Sequence, residues 1–272
     1  MLKTTNLLYT ITESIHIWRD TMFKKVLARL GIGAATVNTI IHTRDLYPGN
    51  KIEGVIEIEG GSVAQDINYI ALKLKAYAKK KSGDGEVSVK IQLHEELVTG
   101  KMTVQANEHL SIPFSFILPY YAPITIGHGK VWIETDLDMD LSVDPTDVDY
   151  LKIHAHEELS NFVEAFNLLG FRLRQVEVEA QNGRFYQEWE FVPNSKREWR
   201  FDEIECMIEP NKDGLFMRVA VDKAGLHRGL TGFLQESLGL DEKKTALSFS
   251  NEQLKDTHSI AKTLRQFLQQ YN

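Results

Sequence analysis

From about residue 35 the apolar positions recur every second residue. Val37, Thr39 and Ile41 alternate with other side chains, and after the turn Tyr47-Pro48-Gly49-Asn50 the period returns in Ile52-Glu53-Gly54-Val55-Ile56-Glu57-Ile58. A third stretch sets Ile70, Leu72, Leu74 and Ala76 on one face and Ala71, Lys73 and Lys75 on the other. Val87, Val89, Ile91 and Leu93 form a fourth, and Met102, Val104 and Val131-Trp132-Ile133 continue the series. Between Ile112 and Pro119, Phe114, Phe116 and Leu118 share one face, with prolines near both ends where a missing N–H is tolerable. Short runs of period two, punctuated by Gly and Pro every ~10–15 residues, predict an antiparallel β-sandwich.

The period changes at two places. Phe23, Val26, Leu27 and Leu30 recur at helical spacing, with Lys24, Lys25 and Arg29 on the other side. Met22-Phe23-Lys24-Lys25 reads as a natural start, so residues 1–21 are expected to be an N-terminal extension, non-native or disordered. Asp144-Pro145-Thr146-Asp147 then breaks the alternation and marks a boundary. Beyond it, Leu159, Phe162, Val163, Phe166 and Leu169 form a helical stripe stopped by Gly170. Strands return around Phe171-Arg172-Leu173, Val176-Glu177-Val178, Gln187 to Pro193, Ile204 to Ile208 and Leu215 to Val221. The tail after Asn251 is helical again, with Leu254, Ile260, Leu264, Phe267 and Leu268 near one face. The expected division is a first sandwich over residues 22–145 and a second, with helices, over residues 146–272.

Composition narrows the function classes. The chain has 272 residues, 43% of them hydrophobic and 25% charged, as in an ordinary globular protein. Its formal charge of −7 argues against a general nucleic-acid binder. Residues 1–35 run the other way, with five basic residues against two acidic, a net of +3. Cys206 is the only cysteine, so no disulfide forms within the chain, and its alternation with Ile204 and Ile208 predicts a buried, inert thiol. No apolar run reaches the ~20 residues that span a bilayer, and no signal-peptide pattern opens the chain. The expected compartment is the cytoplasm.

Candidate chemistry is sparse. Glu134, Asp136, Asp138 and Asp140 share one parity and Ile133, Thr135, Leu137, Met139 and Leu141 the other, the pattern of a strand with one buried and one solvated face. Asp136-x-Asp138-x-Asp140 opens like a calcium loop, but the sixth position is Leu141 instead of glycine and the twelfth is Asp147 instead of glutamate. A partner-docking face at Asp136, Asp138 and Asp140 is the better expectation. His154 and His156 lie on one side of an extended segment without a recognisable third metal ligand, and read as surface histidines. Gly31-Ile-Gly33 and Gly127-His-Gly129 read as turns, since neither continues into a phosphate loop. The lysines at 73, 75, 79, 80 and 81 read as a solvated hairpin end. No nucleophile elbow occurs, and no catalytic, cofactor or metal residues are predicted. The stripe at Leu264, Phe267 and Leu268 leaves two readings open: packing on the second sandwich, or self-association into a homodimer.

The order of these motifs carries a resemblance. The Pro48-Gly49 turn, Gly54-Val55-Ile56, and Pro113-Phe114-Ser115-Phe116-Ile117-Leu118-Pro119 with Pro123 just after resemble the first half of the arrestin fold. Gly170-Phe171, Gln187-Glu188-Trp189-Glu190-Phe191-Val192-Pro193, Asp202-Glu203-Ile204-Glu205, Val219-Ala220-Val221-Asp222 and the Asp144-Pro145 linker resemble the bacterial sporulation-control protein M family over roughly residues 22–225. That resemblance implies a mostly β protein of two antiparallel, arrestin-like sandwich domains joined edge to edge. It implies a non-catalytic cytoplasmic regulator of sporulation or cell-cycle events acting through protein–protein contacts. The charged latch of eukaryotic arrestins has no match here, so phosphate-triggered switching is not implied. The alternative is a membrane-surface or cargo adaptor using the basic N-terminal helix and the lysine hairpin.

Overall fold

The computed structural model describes residues 33–82, 85–126, 129–139, 144–181, 184–222 and 246–272. The predicted extension 1–21 and the basic helix near Phe23 lie outside the described residues. The alternating segments become strands in two sheets. The smaller consists of β1 (Thr36–Ile41), β2 (Lys51–Glu59) and β6 (His109–Ile117), in the order β1-β2-β6. The larger has ten strands: β3 (Gln65–Ser82), β4 (Gly85–Thr99), β5 (Met102–Val104), β7 (Val131–Met139), β8 (Thr146–Leu151), β9 (Phe171–Gln181), β10 (Arg184–Pro193), β11 (Glu203–Asn211), β12 (Gly214–Asp222) and β13 (Ala246–Ser250).

Strand β3 joins the two halves of the molecule. One of its edges pairs with β4 and β5; along the other, Ile67 to Ala76 pair with β7 and Lys79 meets Glu179 of β9 in parallel. Ile70, Leu72, Leu74, Ala76 and Ala78 are all buried, as their period of two requires. In β4 only Leu93 of the four alternating apolar residues is buried, because β4 is an edge strand paired with β3 alone. The smaller sheet lays Ile52, Ile56 and Ile58 of β2 and Phe114 and Phe116 of β6, with Leu118 just beyond, into the core. One hydrophobic cluster runs from these residues through both halves.

Two boundaries differ from expectation. Strand β6 starts at His109, so Pro113 sits inside it instead of at its end. Leu118 donates its amide to Asn50 on the β2 side, and antiparallel alternation turns the backbone groups of Pro113 outward, to the open edge of the sheet. The missing N–H therefore costs no ladder bond and blunts an edge that could otherwise recruit another strand. Strand β8 follows the Asp144-Pro145 break yet pairs with β7 from Val131↔Leu151 to Asp136↔Thr146. It belongs with the first half, and the chain crosses to the second half only after it.

In that second half, α1 (Glu157–Leu168), α2 (Asn251–Leu254) and α3 (Thr257–Leu268) accompany strands β9 to β13. Gly170 adopts φ +82° just past α1 and its N–H bonds Asn167 O at 2.9 Å, the glycine-terminated ending expected from the sequence. Phe162 and Phe166 of α1 are fully buried; Phe166 stacks on Phe191 at 3.8 Å between ring centroids, and Phe162 meets Trp189, Phe191 and Phe249 edge to face. Ser250 caps α2 in a reciprocal box with Gln253, and Asp256 caps α3 through His258 N and Ser259 N.

Two packing tests follow. A methyl group at Gly54 would overlap the Ile40 carbonyl oxygen and the Phe114 ring, so Gly54→Ala is expected to cost about 1–3 kcal/mol in urea unfolding. Phe162→Ala leaves a cavity under four aromatic rings and is expected to cost about 3–5 kcal/mol in the same measurement.

Candidate functional site

The acidic strand forms as predicted, with Ile133, Thr135 and Leu137 buried and Glu134, Asp136 and Asp138 half-buried on the opposite face. That face is not left as free negative charge. Lys73 of β3 pairs with Asp136, Lys75 with Glu134 at 2.6 Å, and Asn68 donates to Asp138 at 2.7 Å. The register places Lys73 opposite Glu134 and Lys75 opposite Trp132, so both ion pairs run diagonally across the β3–β7 ladder. The side-chain bond and charge of Asp136 hold the Lys73 ammonium above its ordinary range. Lys79 in turn bonds Glu177 of β9 at 2.5 Å. Lys73 and Lys75 therefore neutralise Asp136 and Glu134 across the ladder. Asp140 lies outside the described residues.

The helical stripe turns inward. Leu264 and Leu268 are fully buried and Phe267 nearly so, and α3 packs against α1. Their apolar area is spent within the chain, which accounts for the stripe by packing and removes these three side chains from the accessible surface. His154 and His156 are half-buried instead of lying free at the surface: both rings pack on Tyr47, and His156 Nε2 approaches the Pro48 carbonyl at 2.6 Å. Among the described residues no group of three or more His, Cys, Asp or Glu is placed to hold a metal ion. Cys206 is fully buried, and that burial pushes its thiol well above the ordinary range.

A different surface carries the excess charge. The side of β9 to β12 facing away from α1 collects Glu177, Glu188, Glu190, Glu203, Glu205 and Glu209 around the apolar residues Tyr186, Met207 and Ala220. Arg174 pairs with both Glu190 and Glu203, and Arg218 approaches Glu209 at 3.4 Å. With Lys79 on Glu177, three paired cations stand against these six carboxylates. Burial, reinforced by Glu205, Glu179 and Glu177, pushes the Glu188 carboxyl up to about 8. The Tyr186 hydroxyl beside it is buried with no hydrogen-bond partner. The parity of Glu177-x-Glu179, Glu188-x-Glu190 and Glu203-x-Glu205 was visible in the sequence. Their convergence required the strand order β9-β10-β11-β12.

Two sheets tied together by one long shared strand define a mostly β protein of arrestin-like architecture. The chain belongs to the sporulation-control protein M family: the model described as SpoOM protein matches residues 23–225. It is 37% identical over 255 residues to the sporulation-control protein Spo0M of Bacillus subtilis (strain 168), a match covering 92% of this chain and 98% of that one. The crystal structure of Spo0M from Bacillus subtilis superimposes with a TM-score of 0.81 at 36% identity, covering 89% of this chain and all of that one. No helix among the described residues is long and apolar enough to cross a membrane.

The raised Glu188 value has a measurable consequence. The folded chain holds this proton up to about pH 8 while the unfolded chain releases it in the ordinary carboxylate range. Its contribution to stability is therefore complete at acid pH and is lost as pH rises toward 8. Glu188→Gln is expected to flatten the fall in unfolding free energy between pH 5 and 8 by about 1–2 kcal/mol, read by urea titration at each pH.

Proposed function

We propose that this protein is a non-catalytic regulator of sporulation that acts in the cytoplasm by holding other proteins, and that the acidic outer face of β9 to β12 is its docking surface. The family membership supports the sporulation role. The observation that carries the surface assignment is the contrast between the two acidic regions. Glu134 and Asp136 are each matched by a lysine of the neighbouring strand, whereas on the face around Glu188 six carboxylates meet three paired cations, Lys79, Arg174 and Arg218. Such a surface favours a partner segment rich in Lys or Arg, whose approach speeds with charge complementarity. The membrane-surface or cargo-adaptor alternative draws on the basic N-terminal helix, which lies outside the described residues, and on the lysine hairpin, where Lys73, Lys75 and Lys79 are already engaged by carboxylates.

The test is genetic and quantitative. A host strain lacking the gene would be complemented with the wild-type chain or with the triple variant Glu177→Gln, Glu203→Gln, Glu209→Gln. The triple variant is expected to accumulate to wild-type level yet give the spore count of the deletion strain. Full complementation by that variant would sink the surface assignment, and an unchanged spore count on deletion would sink the regulatory role itself.

A further inference from the structure

Strand β8 is inside out. Its apolar residues Val148 and Tyr150 are exposed, at 45% and 64%, while Asp147 and Asp149 point inward with Leu151. The two aspartates face β1, the outer strand of the smaller sheet. His42, just past β1, donates its amide to Glu53 of β2, so antiparallel alternation turns the amides of Val37, Thr39 and Ile41 toward β8. Asp147 Oδ2 accepts the Thr39 amide at 2.6 Å, while its Oδ1 accepts the Val148 amide at 2.9 Å. Below this bond Thr39 Oγ1 lies 2.5 Å from Thr135 Oγ1 of β7, fully buried. The bridge Leu46↔Ile153 just beyond β1 and β8 is parallel, so the two segments run in the same direction. No backbone ladder joins β1 to β8, and the side of the sandwich is closed here by a side-chain carboxylate.

We propose that the β1–β8 seam is a proton-sensitive latch, in which Asp147 holds β1 and the protonation of Asp149 decides how firmly. Asp149 is the reason the seam responds to pH. Its Oδ2 is buried without a partner, and two carboxylates two residues apart on one strand face repel when both are ionised. Burial first, then Asp147, pushes the Asp149 carboxyl up to about 6. Protonated, Asp149 can donate to Asp147 and leave one shared negative charge for the Thr39 amide. Ionised, it crowds Asp147, and among the described residues no cation pairs with it.

The surrounding charges do not confuse the assignment. Strand β1 carries no titratable side chain. The β7 residues on the same inner face are Ile133, Thr135 and Leu137, and Glu134 and Asp136 lie on the other face, bound to Lys75 and Lys73. On β2, Glu53, Glu57 and Glu59 alternate with the buried Ile52, Ile56 and Ile58 and so point outward. His42 is exposed and opposite Glu53, and His42→Gln serves as the control for its own titration.

The sign is set by the raised value: the folded state keeps the Asp149 proton to about pH 6, so the seam is tightest below that and loosens as pH rises through it. Loosening β1 frees outward amides, which is the chemistry of strand addition. The test is hydrogen exchange of the full chain, reading the amides of residues 36–41 at pH 5.5 and 7.5 after correction for intrinsic rates. The wild type is expected to show about three- to tenfold more protection at the lower pH, with a midpoint near 6. Asp149→Asn, which is isosteric and cannot ionise, is expected to show high protection at both pH values, and Asp147→Ala low protection at both. His42→Gln is expected to behave as wild type. The latch is refuted if β1 protection in the wild type does not change with pH, or if Asp149→Asn keeps the wild-type pH dependence.

Discussion

The rest of the structure depends on β3 having two different neighbours along one edge. A strand of 18 residues is long enough to pair first with β7 and then to meet β9, so the ladder passes from one half of the chain to the other without a linker. Because every backbone amide and carbonyl of a buried strand must find a partner, the halves cannot separate without stranding part of β3. The seam is reinforced by side chains that act as backbone: Gln187 of β10 gives and takes hydrogen bonds with the Ile124 backbone, at 3.1 and 3.3 Å, in a buried site. Lys79 bonds Glu177 at the same junction. The single continuous core is the energetic counterpart of this shared strand.

Charge is handled differently on the two sides of that junction. In the first half, carboxylates and lysines face each other across adjacent strands and cancel, and such half-exposed pairs contribute specificity of register more than stability. In the second half, glutamates from three neighbouring strands converge on one face, and burial, reinforced by those neighbours, leaves Glu188 holding its proton near neutrality. The proposed docking surface rests on this gathering of carboxylates, while Pro113 blunts the β6 edge.

Much of the architecture was legible from alternation. Ile52, Ile56, Leu72, Leu74, Phe114 and Phe116 all fall on the predicted inner faces, since burial and period two are linked locally. The end of α1 at Gly170 was readable for the same local reason. The candidate site was less legible. Asp136 was correctly placed on an outer face, but its neutralisation by Lys73 depends on a pairing between residues 63 apart in the chain. Asp147 and Asp149 continued the acidic run in sequence, yet β8 turns them inward because Leu151 shares their parity and is drawn to the core.

The strands, their inner faces, the helix stops and the family to which the chain belongs are all written in short-range periodicity and motif order. Which strands become neighbours is settled when the chain folds. That choice converts the acidic β7 strand into a neutral ladder, gathers scattered glutamates of β9, β10 and β11 into one face, and sets Asp147 against Thr39 across 108 residues. The physical reason is that electrostatics and edge protection act between strands, over distances that local sequence does not encode, whereas burial of alternate residues acts within each strand.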